Sequence, residues 1–214
     1  MSNMVLLTSL IIIDAPLSGT IPANLGGLTD MQVFTLSNTS ISGTLNAELG
    51  TLPGLLALKI TNSPVSGTIP PSVNNLPSLS YLQFYANKMS GTLPVLDNIG
   101  KVGSVEKGFI LTVGNNDVSG TIHASMFKTM VKATSIMLYN SQMSGSLPDS
   151  LYALSDLLNL QLGGNKLTGC VLRERCCDER ALSVTAPSGI RQLHQLSPRL
   201  TLRPVPSSSH TLLM

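Results

Sequence analysis

A short phrase recurs along the chain and constrains its fold more than any other feature of the sequence. The phrase is an aliphatic residue, then Ser-Gly-Thr, then Ile or Leu, usually followed by Pro. Seven exact or looser copies are centred on the glycines Gly19, Gly43, Gly67, Gly91, Gly120, Gly145 and Gly169. These glycines are separated by 24, 24, 24, 29, 25 and 24 residues. A period between about 20 and 50 residues is typical of a solenoid, in which each repeat forms one coil.

Apolar residues stand at fixed positions before and after each glycine, and they predict the path of one coil. Upstream, alternating pairs such as Phe34/Leu36 and Leu58/Ile60 predict a short strand whose apolar side chains point inward. The glycine permits a sharp turn, and the proline that follows favours a 3-10 or helical return segment. Stacked copies would join their apolar edges into one core, with the strands forming a parallel sheet on the concave side.

One column just before each turn is polar in six of the seven copies. It holds Ala15, Thr39, Ser63, Asn87, Asn116, Ser141 and Asn165. An asparagine amide can both donate to and accept from backbone groups of a neighbouring coil, and a hydroxyl can replace part of that function. We therefore expect the first copy, which has alanine here, to be the least tightly held.

These repeats resemble the plant-type leucine-rich repeat, whose mark is the L-S-G-x-I-P phrase at a 24-residue period. The resemblance covers residues 4–170 and implies an α/β-type solenoid: a right-handed coil of about seven repeats, with a concave parallel β-sheet and an irregular or 3-10 convex side. Within that class, Ser-Gly-Thr-Leu-Pro and the Thr or Ser of the polar column are similar to kinetoplastid surface antigens and proteophosphoglycan-like proteins. Gly169-Cys170-Val171 begins the capping sequence of those proteins, and Leu172 departs from it.

The chain divides into a repeat domain, residues 1–170, and a tail, residues 171–214. The tail carries six arginines and no lysine, whereas the repeats carry seven lysines and no arginine. Its Pro, Ser and Arg content predicts a disordered segment or an aberrant, frame-shifted C-terminus. All three cysteines, Cys170, Cys176 and Cys177, lie at the junction. One disulfide from Cys170 or three free thiols are both consistent with their spacing.

The sequence carries no catalytic motif and predicts a protein that is not an enzyme and has no cofactor or metal site. Its three histidines are far apart, and the tail arginines lack the aromatic partners of a nucleic-acid site. No apolar run reaches the ~20 residues that span a membrane. Only 11% of residues are charged, against roughly 25% in ordinary soluble domains. That balance is common in extracellular repeat domains.

The outward positions of the predicted strands are the candidate binding site. Three of the four tyrosines fall there, and tyrosine is enriched at binding hot spots. The predicted ligand-binding residues are Lys59, Tyr81, Gln83, Tyr85, Thr112, Met137, Tyr139 and Gln161. Separately, Asn38-Thr39-Ser40 is the one N-glycosylation sequon, which makes Asn38 a candidate glycan acceptor.

The function predicted from these observations is a binding module of a cell-surface or secreted protein that recognises protein or glycan. Two alternatives remain open: a structural or antigenic coat protein without a specific ligand, and an ectodomain fragment of a plant-type receptor kinase. No signal peptide is visible, and the sequence opens inside a repeat, so we expect a piece of a longer protein. Because repeat arrays need polar caps, we also expect self-association through the uncapped ends.

Overall fold

The chain forms a stack of coils that follows the predicted period. The computed structural model describes residues 6–99 and 108–169, and the backbone of Ser183–Thr185. Its strands are β1 Ser9–Ile13, β2 Ser18–Thr20, β3 Val33–Ser37, β4 Ser40–Thr44, β5 Ala57–Thr61, β6 Val65–Gly67, β7 Tyr81–Tyr85, β8 Lys88–Met89, β9 Phe109–Thr112, β10 Ser119–Thr121, β11 Ala133–Met137, β12 Gln142–Ser146, β13 Asn159–Gln161, β14 Lys166–Thr168 and β15 Ser183–Thr185.

The odd-numbered strands form one sheet, the main sheet, in the order β1-β3-β5-β7-β9-β11-β13-β15. From β1 to β13 every neighbouring pair is parallel, and residues one repeat apart lie opposite each other, as Leu10, Phe34 and Leu58 do. β15 pairs antiparallel with β13. The rest of the tail, including Cys176 and Cys177, lies outside the described residues, as does Cys170 of the repeat domain, so the prediction of disorder in the tail stays a prediction.

The Ser-Gly-Thr phrases form a second line of short parallel strands, β2-β4-β6-β8 and β10-β12-β14. An isolated bridge between Thr92 and Ser119 links the two groups. At Gly67 the backbone has φ +79°, and an added Cβ would lie 2.8 Å from the Thr44 methyl of the preceding coil. A glycine is therefore required here for two reasons. Its backbone conformation disfavours a side chain, and the threonine packed against it leaves no room for one.

The return segments on the opposite side are short helices, and three of the five described helices follow the proline of the phrase, as predicted. Ala47–Thr51 and the helix after Gly120 form without one. Four are 3-10 helices: Leu25–Gly27, Ala47–Thr51, Pro71–Asn75 and Asp149–Ala153. The coil between Gly120 and Gly145 instead contains an α-helix, α1 Ala124–Thr129. That coil has one residue more than the common period of 24.

The core is one continuous column between the main sheet and these helices. Phe84, Phe109 and Phe127 are its largest fully buried side chains, and each coil adds several buried aliphatic or methionine side chains. A buried leucine contributes about 1.5–3 kcal/mol. Since one coil alone leaves both of its flat sides open to water, this burial exists only in the stack.

Side chains of the polar column form hydrogen bonds between neighbouring coils. The Asn116 side chain accepts from the Met89 backbone N–H at 3.1 Å and donates to the Phe84 carbonyl at 2.9 Å. Asn87 makes the same two kinds of bond one coil earlier. The Ser141 hydroxyl donates to the Val113 carbonyl of the coil before it at 3.2 Å, which confirms that a hydroxyl can replace part of the amide's function. The hydroxyls of Thr39 and Ser63 instead pair with each other at 3.0 Å.

Candidate binding face

The solvent-facing side of the main sheet from β1 to β13, the concave face, is built of three rows of side chains. The strand register places residues of successive coils side by side in each row. The first row is Ser9, Val33, Ala57, Tyr81, Ile110, Ser135 and Asn159. The second row is Ile11, Thr35, Lys59, Gln83, Thr112, Met137 and Gln161. The third row is Ile13, Ser37, Thr61, Tyr85, Gly114, Tyr139 and Gly163.

All eight predicted ligand-binding residues lie together in these rows, from β5 to β13. Lys59, Gln83 and Thr112 are direct neighbours in the second row, which continues through Met137 and Gln161. The three tyrosines flank this row. The structure therefore places the predicted residues on one continuous surface.

Two tyrosines meet across the middle of the face. The ring centroids of Tyr85 and Tyr139 are 6.1 Å apart, with the rings tilted by 43°. Gly114 lies between them in the row, and a Cβ there would come within 2.8 Å of the Tyr139 ring. The missing side chain is what lets Tyr139 lie across β9 and reach its partner.

The environment of Tyr139 favours its neutral phenol. Burial is the largest cause, followed by a hydrogen bond with Tyr85 and the charge that Tyr85 would carry, and together they raise the pKa of Tyr139 to about 12. Tyr139 is therefore neutral at ordinary pH, and its ring lies against that of Tyr85 on the aromatic surface.

The third tyrosine, Tyr81, is paired with the one charge of the face. The Lys59 ammonium lies 4.4 Å from the centroid of the Tyr81 ring, within range of a cation–π interaction. Lys59 is the only charged residue in the three rows. The surface consequently offers shape, aromatic contact and neutral hydrogen bonds rather than charge.

Three polar side-chain atoms on this face are buried without a hydrogen-bond partner: Thr112 Oγ1, Ser135 Oγ and Asn159 Oδ1. Thr112 was among the predicted residues, whereas Ser135 and Asn159 were not. Their outward positions were readable from the repeat. The burial of their oxygens could not be predicted from the repeat, because it depends on the side chains that neighbouring coils place around them.

Asn38 lies outside the rows, at the edge of the sheet directly after β3. Its side chain is exposed, its φ is +53°, and its Nδ2 donates to Asp14 Oδ1 at 2.9 Å. The amide is accessible at the surface, and N-glycosylation there stays a prediction.

The described part of the chain offers neither a metal cluster nor a membrane-spanning helix. Residues 6–99 and 108–169 contain no group of three or more His, Cys, Asp or Glu side chains that could hold a metal ion. The same residues contain no helix long and apolar enough to span a membrane.

No protein-family model matches the chain, and no curated protein matches its sequence. Solved structures do match. The ectodomain of the Arabidopsis thaliana receptor kinase GASSHO1/SCHENGEN3, solved with CASPARIAN STRIP INTEGRITY FACTOR 2, is 30% identical over 72% of this chain and 18% of its own, with a TM-score of 0.66. The Arabidopsis receptor kinase HAESA, in complex with a peptide hormone and a co-receptor, is 30% identical over 77% of this chain and 26% of its own, with a TM-score of 0.68.

A third similar structure is that of a Pollen Receptor Kinase 3, at 26% identity, 79% coverage of both chains and a TM-score of 0.63. The fold is therefore a leucine-rich-repeat solenoid of the plant type, a right-handed coil with a concave parallel sheet and a 3-10 convex side. The chain spans about a fifth to a quarter of the length of the two larger ectodomains.

Proposed function

We propose that this chain is a leucine-rich-repeat binding module of a cell-surface or secreted protein, and that it holds an extended peptide against the concave face. The observation that carries the proposal is the tyrosine cluster. Tyr85 and Tyr139 are in contact over Gly114, and Tyr81 is fixed by Lys59 on the same surface. The similar structure of HAESA, solved with a peptide hormone, supports a protein ligand rather than a sugar.

The physical properties of the face suit such a ligand. Tyrosine offers a large, rigid, amphipathic contact at low cost in side-chain entropy. Gln83 and Gln161 supply donors and acceptors beside the rings, and Met137 adds an adaptable apolar contact. Because Lys59 is the single charge, affinity should change little over an about tenfold range of salt concentration.

The test is selection of random linear peptides on the chain, followed by affinity measurement on a variant with Tyr81, Tyr85 and Tyr139 all changed to Ala. We expect the variant to bind the selected peptides at least about tenfold more weakly. Tyr152→Ala, which removes the fourth tyrosine from the convex 3-10 helix Asp149–Ala153, is the matched control. Equal affinity of wild type and triple variant would remove the concave face from consideration.

A coat role without a specific ligand is the second candidate. It is favoured by the similarity to kinetoplastid surface antigens, which rests on hydroxyl residues such as Thr39, Ser63 and Ser141 in the polar column. In the full gene, a Thr/Ser-rich stalk and lipid-anchor signal would support the coat, and a kinase domain would support a receptor. Failure of the chain to select any peptide or to bind any glycan would also favour the coat.

A further inference from the structure

Thr112, Ser135 and Asn159 form a cluster on three neighbouring strands of the concave face. Ser135 lies directly opposite Asn159, and Thr112 lies diagonally from Ser135 on the other side. Thr112 is 4% exposed and Ser135 is 9% exposed. Each of the three residues has a side-chain oxygen that is shut off from solvent and has no hydrogen-bond partner.

Unpartnered hydroxyls are not a general property of the described coils. Thr61 Oγ1 donates to Ser37 Oγ at 3.0 Å on the same face, and the Ser141 hydroxyl donates to the Val113 carbonyl at 3.2 Å. A buried polar group without a partner costs free energy, and native proteins contain few of them. Three such groups lie side by side here, and Thr112 stands in the row next to that of the Tyr85–Tyr139 pair. Their hydrogen-bonding capacity is unused in the free chain.

The chemistry of the cluster selects an uncharged ligand group. The two hydroxyls can each donate and accept, and the Asn159 oxygen can accept. No charged residue stands in β9, β11 or β13, so a ligand charge buried here would have no counter-charge. A group with one donor and one acceptor, such as a peptide amide, satisfies these atoms.

We infer that Thr112, Ser135 and Asn159 form a subsite that binds main-chain amide groups of an extended peptide, with its side chains directed to Tyr85 and Tyr139. This assignment rests on the proposed function, because it specifies how that peptide is held. An extended or polyproline II segment carries main-chain groups that have no internal hydrogen bonds.

The spacing of the strands fits this mode of binding. Neighbouring strands are about 4.8 Å apart, so β9 and β13 are about 9.6 Å apart. Thr112 lies in register with Gln161, so Asn159 is two residues, about 6.6 Å, further back along β13, and the two positions are about 12 Å apart. Four residues of polyproline II span about 12.4 Å. A segment that crosses the strands obliquely can therefore present one amide group to Thr112 and another to Asn159. Its entry requires a rotamer change of Met137 and Gln161, the unbranched neighbours of these residues, because the three oxygens are shut off from solvent in the free chain.

The first arm of the test measures the free protein. Thr112→Val replaces the hydroxyl by a methyl of similar size, and the inference requires that resistance to chemical denaturation is unchanged or increased. Thr35→Val, in the same row on β3, is the control for the shape change. A loss of resistance specific to Thr112→Val would show that the hydroxyl already has a partner, and would overturn the inference.

The second arm uses peptides selected on the wild-type chain and copies of them carrying single N-methyl groups on main-chain amides. We expect Thr112→Val and Ser135→Ala to bind the parent peptides about tenfold more weakly, and Thr35→Val to bind them normally. At the one or two main-chain amides that contact the subsite, N-methylation should weaken binding to the wild type. It should have little further effect on binding to Thr112→Val, because that variant already lacks the contact.

The outcomes separate this inference from the proposed function. If the triple tyrosine variant loses binding while Thr112→Val and Ser135→Ala keep wild-type affinity, the subsite is wrong and the peptide-binding face stands. If the triple variant binds normally, both are wrong. If the chain selects no peptide but binds a neutral oligosaccharide that Thr112→Val loses, the ligand is a sugar and the peptide assignment is overturned.

Discussion

Ala86 occupies a backbone conformation that alanine disfavours. Its φ is +53°, and it stands in a column of residues that lie one to three positions after the strands of the main sheet. The equivalent positions, all with positive φ, are Asp14, Asn38, Asn62, Asn115, Asn140 and Gly164. Asp, Asn and Gly tolerate this left-handed region, whereas alanine loses about 1–2 kcal/mol there.

Replacing Ala86 should therefore stabilise the protein. We expect Ala86→Gly to raise the free energy of unfolding by about 0.5–1 kcal/mol, measured by chemical denaturation. Ala86→Asn should stabilise the protein at least as much. Its amide would lie between Asn62 and Asn115 in this column, in position for the kind of bond that Asn115 accepts from Asn140 at 2.8 Å. Ala47→Gly, in a 3-10 helix, is the control and should destabilise. A loss of stability on Ala86→Gly would contradict the argument.

Tyr139 makes a second prediction at the scale of the residue. Its pKa of about 12 lies above the ordinary value of 10.0, so the folded state favours the neutral phenol. The resulting stabilisation is complete below pH 10 and is lost as the pH rises from about 10 through about 12. The stability advantage of wild type over Tyr139→Phe should therefore shrink across that range.

The midpoint itself can be read from tyrosinate absorbance, as the difference between wild type and Tyr139→Phe. In Tyr85→Phe the hydrogen bond to Tyr139 is removed and burial remains, so the pKa of Tyr139 should fall part of the way toward its ordinary value. A Tyr139 midpoint near 10 in the wild type would show that the pair is not formed.

At the scale of the element, each strand of the second line depends on the coil before it. The Gly67 conformation and the Thr44 methyl leave no room for a side chain in β6. Gly91 has the same relation to Thr68, where an added Cβ would lie 2.7 Å from the methyl. The Ser-Gly-Thr phrase is thus a packing unit in which the threonine of one coil covers the glycine of the next.

We expect Gly67→Ala to lower the free energy of unfolding by about 2–4 kcal/mol, since it adds both backbone strain and overlap. Gly27→Ala is the matched control, because an added Cβ there meets nothing within 4 Å, and its effect should stay within about 0.5 kcal/mol. Gly67→Ala combined with Thr44→Ser should recover part of the loss, as the methyl is gone. Equal effects of Gly67→Ala and Gly27→Ala would refute the packing role.

At the scale of the whole molecule, the sequence predicts the fold well because the same local rules apply in every coil. Pairs such as Phe34/Leu36 are buried as the period requires. The Tyr85–Tyr139 contact was not predictable in the same way, because it needs the register of β7, β9 and β11 and the empty position at Gly114. The column of residues with positive φ that contains Ala86 was not predicted either, although Asn and Asp at these positions indicate positive φ.

The N-terminal end of the stack exposes an apolar edge. β1 pairs with β3 on one side only, and among described elements nothing pairs with its other side. Leu6, Ile11, Ile13 and Leu17 are 79%, 56%, 53% and 51% exposed. An open strand edge carries unpaired N–H and C=O groups, and a second strand satisfies both kinds at once. A second copy of this chain offers such a strand with the same apolar residues.

We therefore expect the isolated chain to self-associate through β1, with a mass that rises with concentration in light scattering. Ile13→Lys places a charge on this edge and should shift the chain toward the monomer, because lysine on an edge opposes strand pairing. Val131→Lys is the matched control: Val131 is also an exposed aliphatic residue, at 48%, but lies between α1 and β11, away from the edge. A wild-type chain that stays monomeric at high concentration would contradict this role of β1, and equal effects of the two lysines would place the contact elsewhere.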